Sequence, residues 1–182
     1  MDRREALKIT SIFLGGTIIG SGYFISGCAL DEASGEFLSE AEIHFLNEVG
    51  ETILPETKRS PGAKAANVGA FMHTFVRDCY SPEEQEIFKA GIEKLNQKAK
   101  AAYSANFIDV QPEQKFKLLV KIDQEAEKAN LHYFTMFKQL SILGYFTSRP
   151  GATQALRYNP VPGEFIGCIP YQEGDKAFAG RV

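Results

Sequence analysis

The 182-residue sequence predicts a small all-α bundle of about five helices, with an irregular Pro/Gly-rich C-terminal arm and a signal peptide in front. Three observations predict it. Apolar residues recur at three- and four-residue steps from residue 39 to 147, capping signals punctuate those runs, and beyond Thr147 prolines and glycines forbid a long helix. A chain of this length suits one domain with a real core. Fourteen Phe against no Trp point to helix contacts built from Phe.

The first helix opens at Ser39, which forms a capping box with Glu42 three residues on. Ile43, Leu46, Val49 and Ile53 fall on one face, and Pro55 ends the run. Ser60, Pro61 and Gly62 make residues 56–66 a loop. Val68, Phe71, Met72, Phe75, Val76 and Cys79 then carry the clearest amphipathic pattern, ending near Tyr80. Ser81-Pro82-Glu83-Glu84 supplies a capping hydroxyl, a first-turn proline and two acids suited to the helix dipole, and Phe88, Ile92, Leu95, Ala99 and Ala102 continue that third helix.

Gln111-Pro112-Glu113 starts a fourth helix, with Phe116, Leu119, Val120 and Asp123 along it. Leu131 to Phe146 is apolar nearly all round and reads as the most buried helix. Beyond it, Pro150-Gly151, Pro160, Pro162-Gly163, Gly167 and Pro170 leave an extended arm.

The leader has the anatomy of an export signal. Arg3-Arg4 stands ahead of an uncharged stretch from Ile9 to Leu30 and resembles the twin-arginine motif, which serves cargo exported folded. Ile25-Ser26-Gly27-Cys28 resembles a lipobox, which would make Cys28 the lipidated N-terminus of a membrane-associated periplasmic or extracytoplasmic lipoprotein. A single membrane anchor is the alternative reading of this stretch. The organisation expected is a twin-arginine lipoprotein signal peptide over 1–27, a tether over 28–38, the helical bundle over 39–147 and the arm over 148–182.

The net charge is −3; the leader holds a local +1, which leaves −4 for the remainder. No face interleaves Lys and Arg with aromatics, so a nucleic-acid partner is set aside. With Cys28 assigned to lipid, Cys79 and Cys168 remain, and neither Cys-x-x-Cys nor a dinucleotide-binding glycine loop occurs. A bridge between Cys79 and Cys168 would close a long loop outside the cytoplasm, a constraint worth about 4 kcal/mol in the chain-entropy model. Two free thiols are the alternative. His44, His73 and His132 stand alone on three predicted helices, and no nucleophile-and-base set or metal cluster can be assembled.

Two blocks carry a resemblance. Glu51-Thr-Ile-Leu-Pro-Glu-Thr-Lys-Arg-Ser-Pro-Gly-Ala63 shows an acid, aliphatics, Pro, a polar gap and then Pro-Gly-Ala. Gly144-Tyr-Phe-Thr-Ser-Arg-Pro-Gly-Ala152 continues to Tyr158, Pro160-Val-Pro-Gly163 and Gly167-Cys-Ile-Pro170. Together they resemble the gluconate 2-dehydrogenase subunit 3 family, the small gamma subunit of membrane-bound flavin sugar dehydrogenases.

The resemblance implies a non-catalytic subunit with no cofactor of its own. FAD would sit in a large partner subunit of the glucose-methanol-choline type, and a cytochrome would take the electrons. This chain would bind the flavin subunit and support its folding and twin-arginine export. Tyr145, Tyr158, Phe165 and Tyr171 are the expected contact aromatics, since aromatics dominate interface energies, while Phe146 reads as core. The rival reading is a free-standing lipoprotein that binds a small molecule or is an unrecognised enzyme.

Overall fold

A computed structural model of the chain describes residues 37–161, 163, 168 and 170–179. Five α-helices follow in order: α1 Glu40–Ile53, α2 Val68–Cys79, α3 Pro82–Tyr103, α4 Pro112–Ala126 and α5 Tyr133–Thr147. A 3-10 turn at Phe107–Asp109 and a π-helical turn at Gly151–Ala155 complete the elements. Among the described residues, β-pairing is limited to the isolated bridges Thr57 with Ser60 and Arg157 with Phe178. The leader with Arg3, Arg4 and Cys28 lies outside the described residues, as does Phe165.

Helix starts follow the local chemistry. At α1 the Ser39 amide donates to Glu42 Oε2 at 2.8 Å, and the Glu42 amide donates back to Ser39 Oγ at 3.4 Å. The same box recurs at α3, where Ser81 and Glu84 exchange bonds of 2.9 and 3.3 Å, and the bonds from Ser81 hold the Glu84 carboxyl below its usual range. At α5 the cap is His132, whose Nδ1 accepts from the Phe134 amide at 3.2 Å, so this helix starts at Tyr133, later than the apolar run suggests.

Helix α5 packs against each of the other four helices. Around it, Leu46 and Val49 of α1, Met72 and Val76 of α2 and Leu95 of α3 are fully buried. Phe88 and Phe137 meet edge-on with ring centroids 4.8 Å apart. Phe107, unnoticed in the sequence, fills the space beside α1 and α3; it is fully buried, with its ring 5.5 Å from that of Phe45.

Three expectations change. Helix α4 turns Lys115, Leu118, Leu119, Ile122 and Ala126 inward and leaves Phe116 60% and Val120 40% exposed. Its inner face is therefore displaced from the predicted one, because Lys115 takes a core position. Lys115 lays its stem in the core, with Nζ 3.2 Å from Glu48 Oε2 and 5.5 Å from the centre of the Phe107 ring. Ala102 on α3 is exposed, since the buried stripe of that helix closes at Ala99. The arm begins with the π-helical turn rather than an extended segment, because Ala152 N bonds Ser148 O at 2.8 Å and Leu156 N bonds Gly151 O at 2.9 Å.

Candidate functional site

The first motif block is a brace at the end of α1. Glu51 Oε1 accepts from the Glu56 amide and its Oε2 from the Lys64 amide, both at 2.8 Å, so one carboxylate spans the loop that follows. Gly62 runs against that carboxylate: a Cβ there would lie 2.2 Å from Glu51 Oε1, which only a residue without a side chain avoids. Next to it Ala63 is fully buried, and its amide bonds Leu54 O at 2.9 Å.

The second block closes on the first. Gly144 lets α5 approach α2, since a Cβ at that position would stand 2.6 Å from Phe71 Cδ1. Tyr145, 3% exposed, donates its hydroxyl to the Pro61 carbonyl. The expectation of Tyr145 as a partner contact is therefore corrected. Its hydroxyl is engaged inside the chain because α5 delivers it beneath the Pro61-Gly62 turn. Phe146, expected in the core, is 36% exposed, because α5 turns its outer face there. Tyr158 at 53% and Tyr171 at 77% are exposed.

The arm returns to the bundle at the same end. Arg59 Nη2 donates to the Gly174 carbonyl at 2.8 Å, and Arg157 pairs with Ala177 and Ala179 at 2.7 and 3.0 Å while its guanidinium lies 4.9 Å from the Phe178 ring centre. Between loop and arm runs a groove of about 510 Å³, bordered by Pro55, Arg59, Phe146 and Leu156. Cys79 and Cys168 are free, exposed thiols, and the bridge expected between them is not formed. Gly174 of the arm is held by Arg59 in the loop before α2, and Cys79 is the last residue of that helix.

The titratable groups are held by local packing. Leu38 donates its amide to His73 Nδ1 at 3.3 Å, and His44 is exposed on α1. His132 stacks on Tyr133 with ring centroids 4.2 Å apart. Burial, with Lys98 and Lys94 nearby, depresses the His132 pKa against the opposing pull of Glu125. Burial, and to a lesser degree Glu125, pushes the Tyr133 hydroxyl up to about 12. Burial works to raise the Glu48 pKa, yet Lys64 and Lys115 together hold this carboxyl below its ordinary range. Among the described residues no three His, Cys, Asp or Glu side chains are grouped to hold a metal ion, and no helix is long and apolar enough to cross a membrane.

What the arrangement offers chemically is surface. Helix α5, although central, presents Ile142 and Leu143, each 42% exposed, beside Phe146. Sequence reasoning took the all-round apolar character of α5 as burial by this chain alone; the same signal equally fits a helix with one face left for another chain.

The molecule is thus a helical bundle whose two motif blocks are spent on each other and whose central helix keeps an apolar outer stripe. Over residues 40–163 the chain matches the model of the family described as gluconate 2-dehydrogenase subunit 3, and it belongs to that family. Neither the curated proteins nor the solved structures contain a match to it.

Proposed function

We propose that this chain is the non-catalytic small subunit of an exported flavin-dependent dehydrogenase complex of the gluconate or glucose type. It binds a large subunit of the glucose-methanol-choline type, which holds the FAD, and supports its folding and twin-arginine export; a cytochrome takes the electrons onward. Arg3 and Arg4 direct export, and Cys28 carries the lipid that keeps the complex at the membrane.

Membership of the family is the observation that carries this reading. The geometry supports it in two ways. The polar groups of the motif residues Glu51 and Tyr145 are committed to internal bonds, and the exposed aliphatics of α5 form a surface suited to burial by another protein.

Expression of the flavin subunit with and without this chain tests the reading. Deletion of residues after Ser148 should abolish export of the flavin subunit and its dye-linked dehydrogenase activity. Cys28→Ala should prevent labelling by radioactive palmitate. Full export and activity of the flavin subunit in the absence of this chain would sink the proposal.

A further inference from the structure

Helix α4 is apolar on two sides. Its inward stripe is complete without Phe116 and Val120, which stand four residues apart and form an outward ridge at 60% and 40% exposure. The ridge borders two grooves. One, of about 140 Å³, runs beside Ile53 and Phe134, with the Asp123–Lys138 ion pair at its rim; the other, of about 610 Å³, runs to Pro55 and Glu113. Pro55 also borders the groove between loop and arm, which is lined by Phe146 and by the charged Arg59, Asp175 and Lys176.

Charge defines what this face can accept. Glu48 is neutralised by Lys64 and Lys115, and Asp123 by Lys138. Glu51, Glu56 and Glu113 form no ion pair among the described residues, against one such base in the same groove, Lys117. The surroundings of Phe116 are therefore apolar in the middle and acidic at the edge.

We infer that the ridge of Phe116 and Val120, with Glu56 and Glu113 at its rim, is the docking surface for the flavin subunit, and that it takes a segment bearing an apolar side chain flanked by Lys or Arg. The inference rests on the reading of this chain as a subunit. Phe116 anchors the contact by burial, and the acidic rim selects a basic partner segment and speeds its approach.

The test uses the full-length chain purified from membranes in mild detergent together with the flavin subunit. Phe116→Ser, Glu113→Lys and Lys117→Glu are compared with the unaltered chain by the dissociation constant of the complex, with circular dichroism and thermal unfolding as checks on the fold. Phe116→Ser should weaken binding by at least about 10-fold, an anchor's loss, while its fold is unchanged. Glu113→Lys should weaken binding and reduce its salt dependence, and Lys117→Glu should leave binding equal or tighter. Binding of Phe116→Ser and Glu113→Lys within about two-fold of the unaltered chain would overturn the docking surface while leaving the subunit reading intact. Failure of the unaltered chain to hold the flavin subunit would remove both.

Discussion

Tyr145 of α5 donates its hydroxyl to the carbonyl of Pro61, 84 residues earlier in the chain. That part-buried bond ties the two motif blocks together. Tyr145→Phe keeps the ring packing and strands the Pro61 carbonyl, so it should lower stability by about 1–2 kcal/mol. Thermal unfolding should show a melting temperature lower by about 2–4 °C for each of those kcal/mol. An unchanged melting temperature would mean that water replaces the tyrosine at no cost.

Glu51 and Gly62 should behave as a pair. Gly62→Ala drives a methyl group into the Glu51 carboxylate and should destabilise by about 1–3 kcal/mol. In a Glu51→Ala background the obstacle is gone, so the added cost of Gly62→Ala should largely vanish. Denaturant unfolding of the two single variants and the double variant gives the coupling; strict additivity would refute direct contact.

Acid should weaken the bundle through Glu48. Its folded pKa lies below the ordinary value of 4.5, so the ion pairs with Lys64 and Lys115 contribute their full stability above that value and lose it as pH falls through the folded pKa. Glu48→Ala leaves Lys115 buried without its counter-charge and should cost about 3 kcal/mol or more at neutral pH. The variant's unfolding free energy, followed from pH 7 downward, should have a shallower acid slope than that of the unaltered chain. Identical slopes would assign the acid response to other carboxylates.

Release of the arm should be separable from unfolding. Arg59→Ala removes the bond to Gly174, an exposed contact worth about 1 kcal/mol, and should leave the melting temperature of the bundle nearly unchanged. Limited proteolysis should then cut within residues 170–179 several times faster, up to about 10-fold. Equal cleavage rates in both proteins would show that Arg59 does not hold the arm.

The sequence was legible wherever the signal is local. Ser39 with Glu42 and Ser81 with Glu84 announce their capping boxes, and Pro55, Pro82 and Pro112 mark helix boundaries that the structure keeps. It was illegible where a distant residue decides. Nothing near Lys115 shows that Glu48, 67 positions away, will neutralise it, so a hydrophobic count puts Phe116 inside and Lys115 out. Phe107 lies in a short turn without periodicity, and its burial depends on Phe45. Sequence alone marks Tyr145 as a contact aromatic because its partner is a backbone carbonyl, which no side-chain pattern reveals. The apolar outer stripe of α5 reads as core because hydropathy does not say whose surface will cover it.

The place of α5 at the centre of the bundle has a consequence in time. Synthesis runs from the N-terminus, and the helix against which the other four pack is the last of the five to be made. Helices α1 and α2 touch each other directly and can pair early, but α3 and α4 gain their main support when residues 133–147 have emerged. The contacts that finish the fold are then long-range ones, such as Tyr145 with Pro61 and Gly144 with Phe71. Closure of such loops is slow for a helical protein of this size. A nascent chain therefore extends past residue 147 before its core is complete, and only then can its two motif blocks meet.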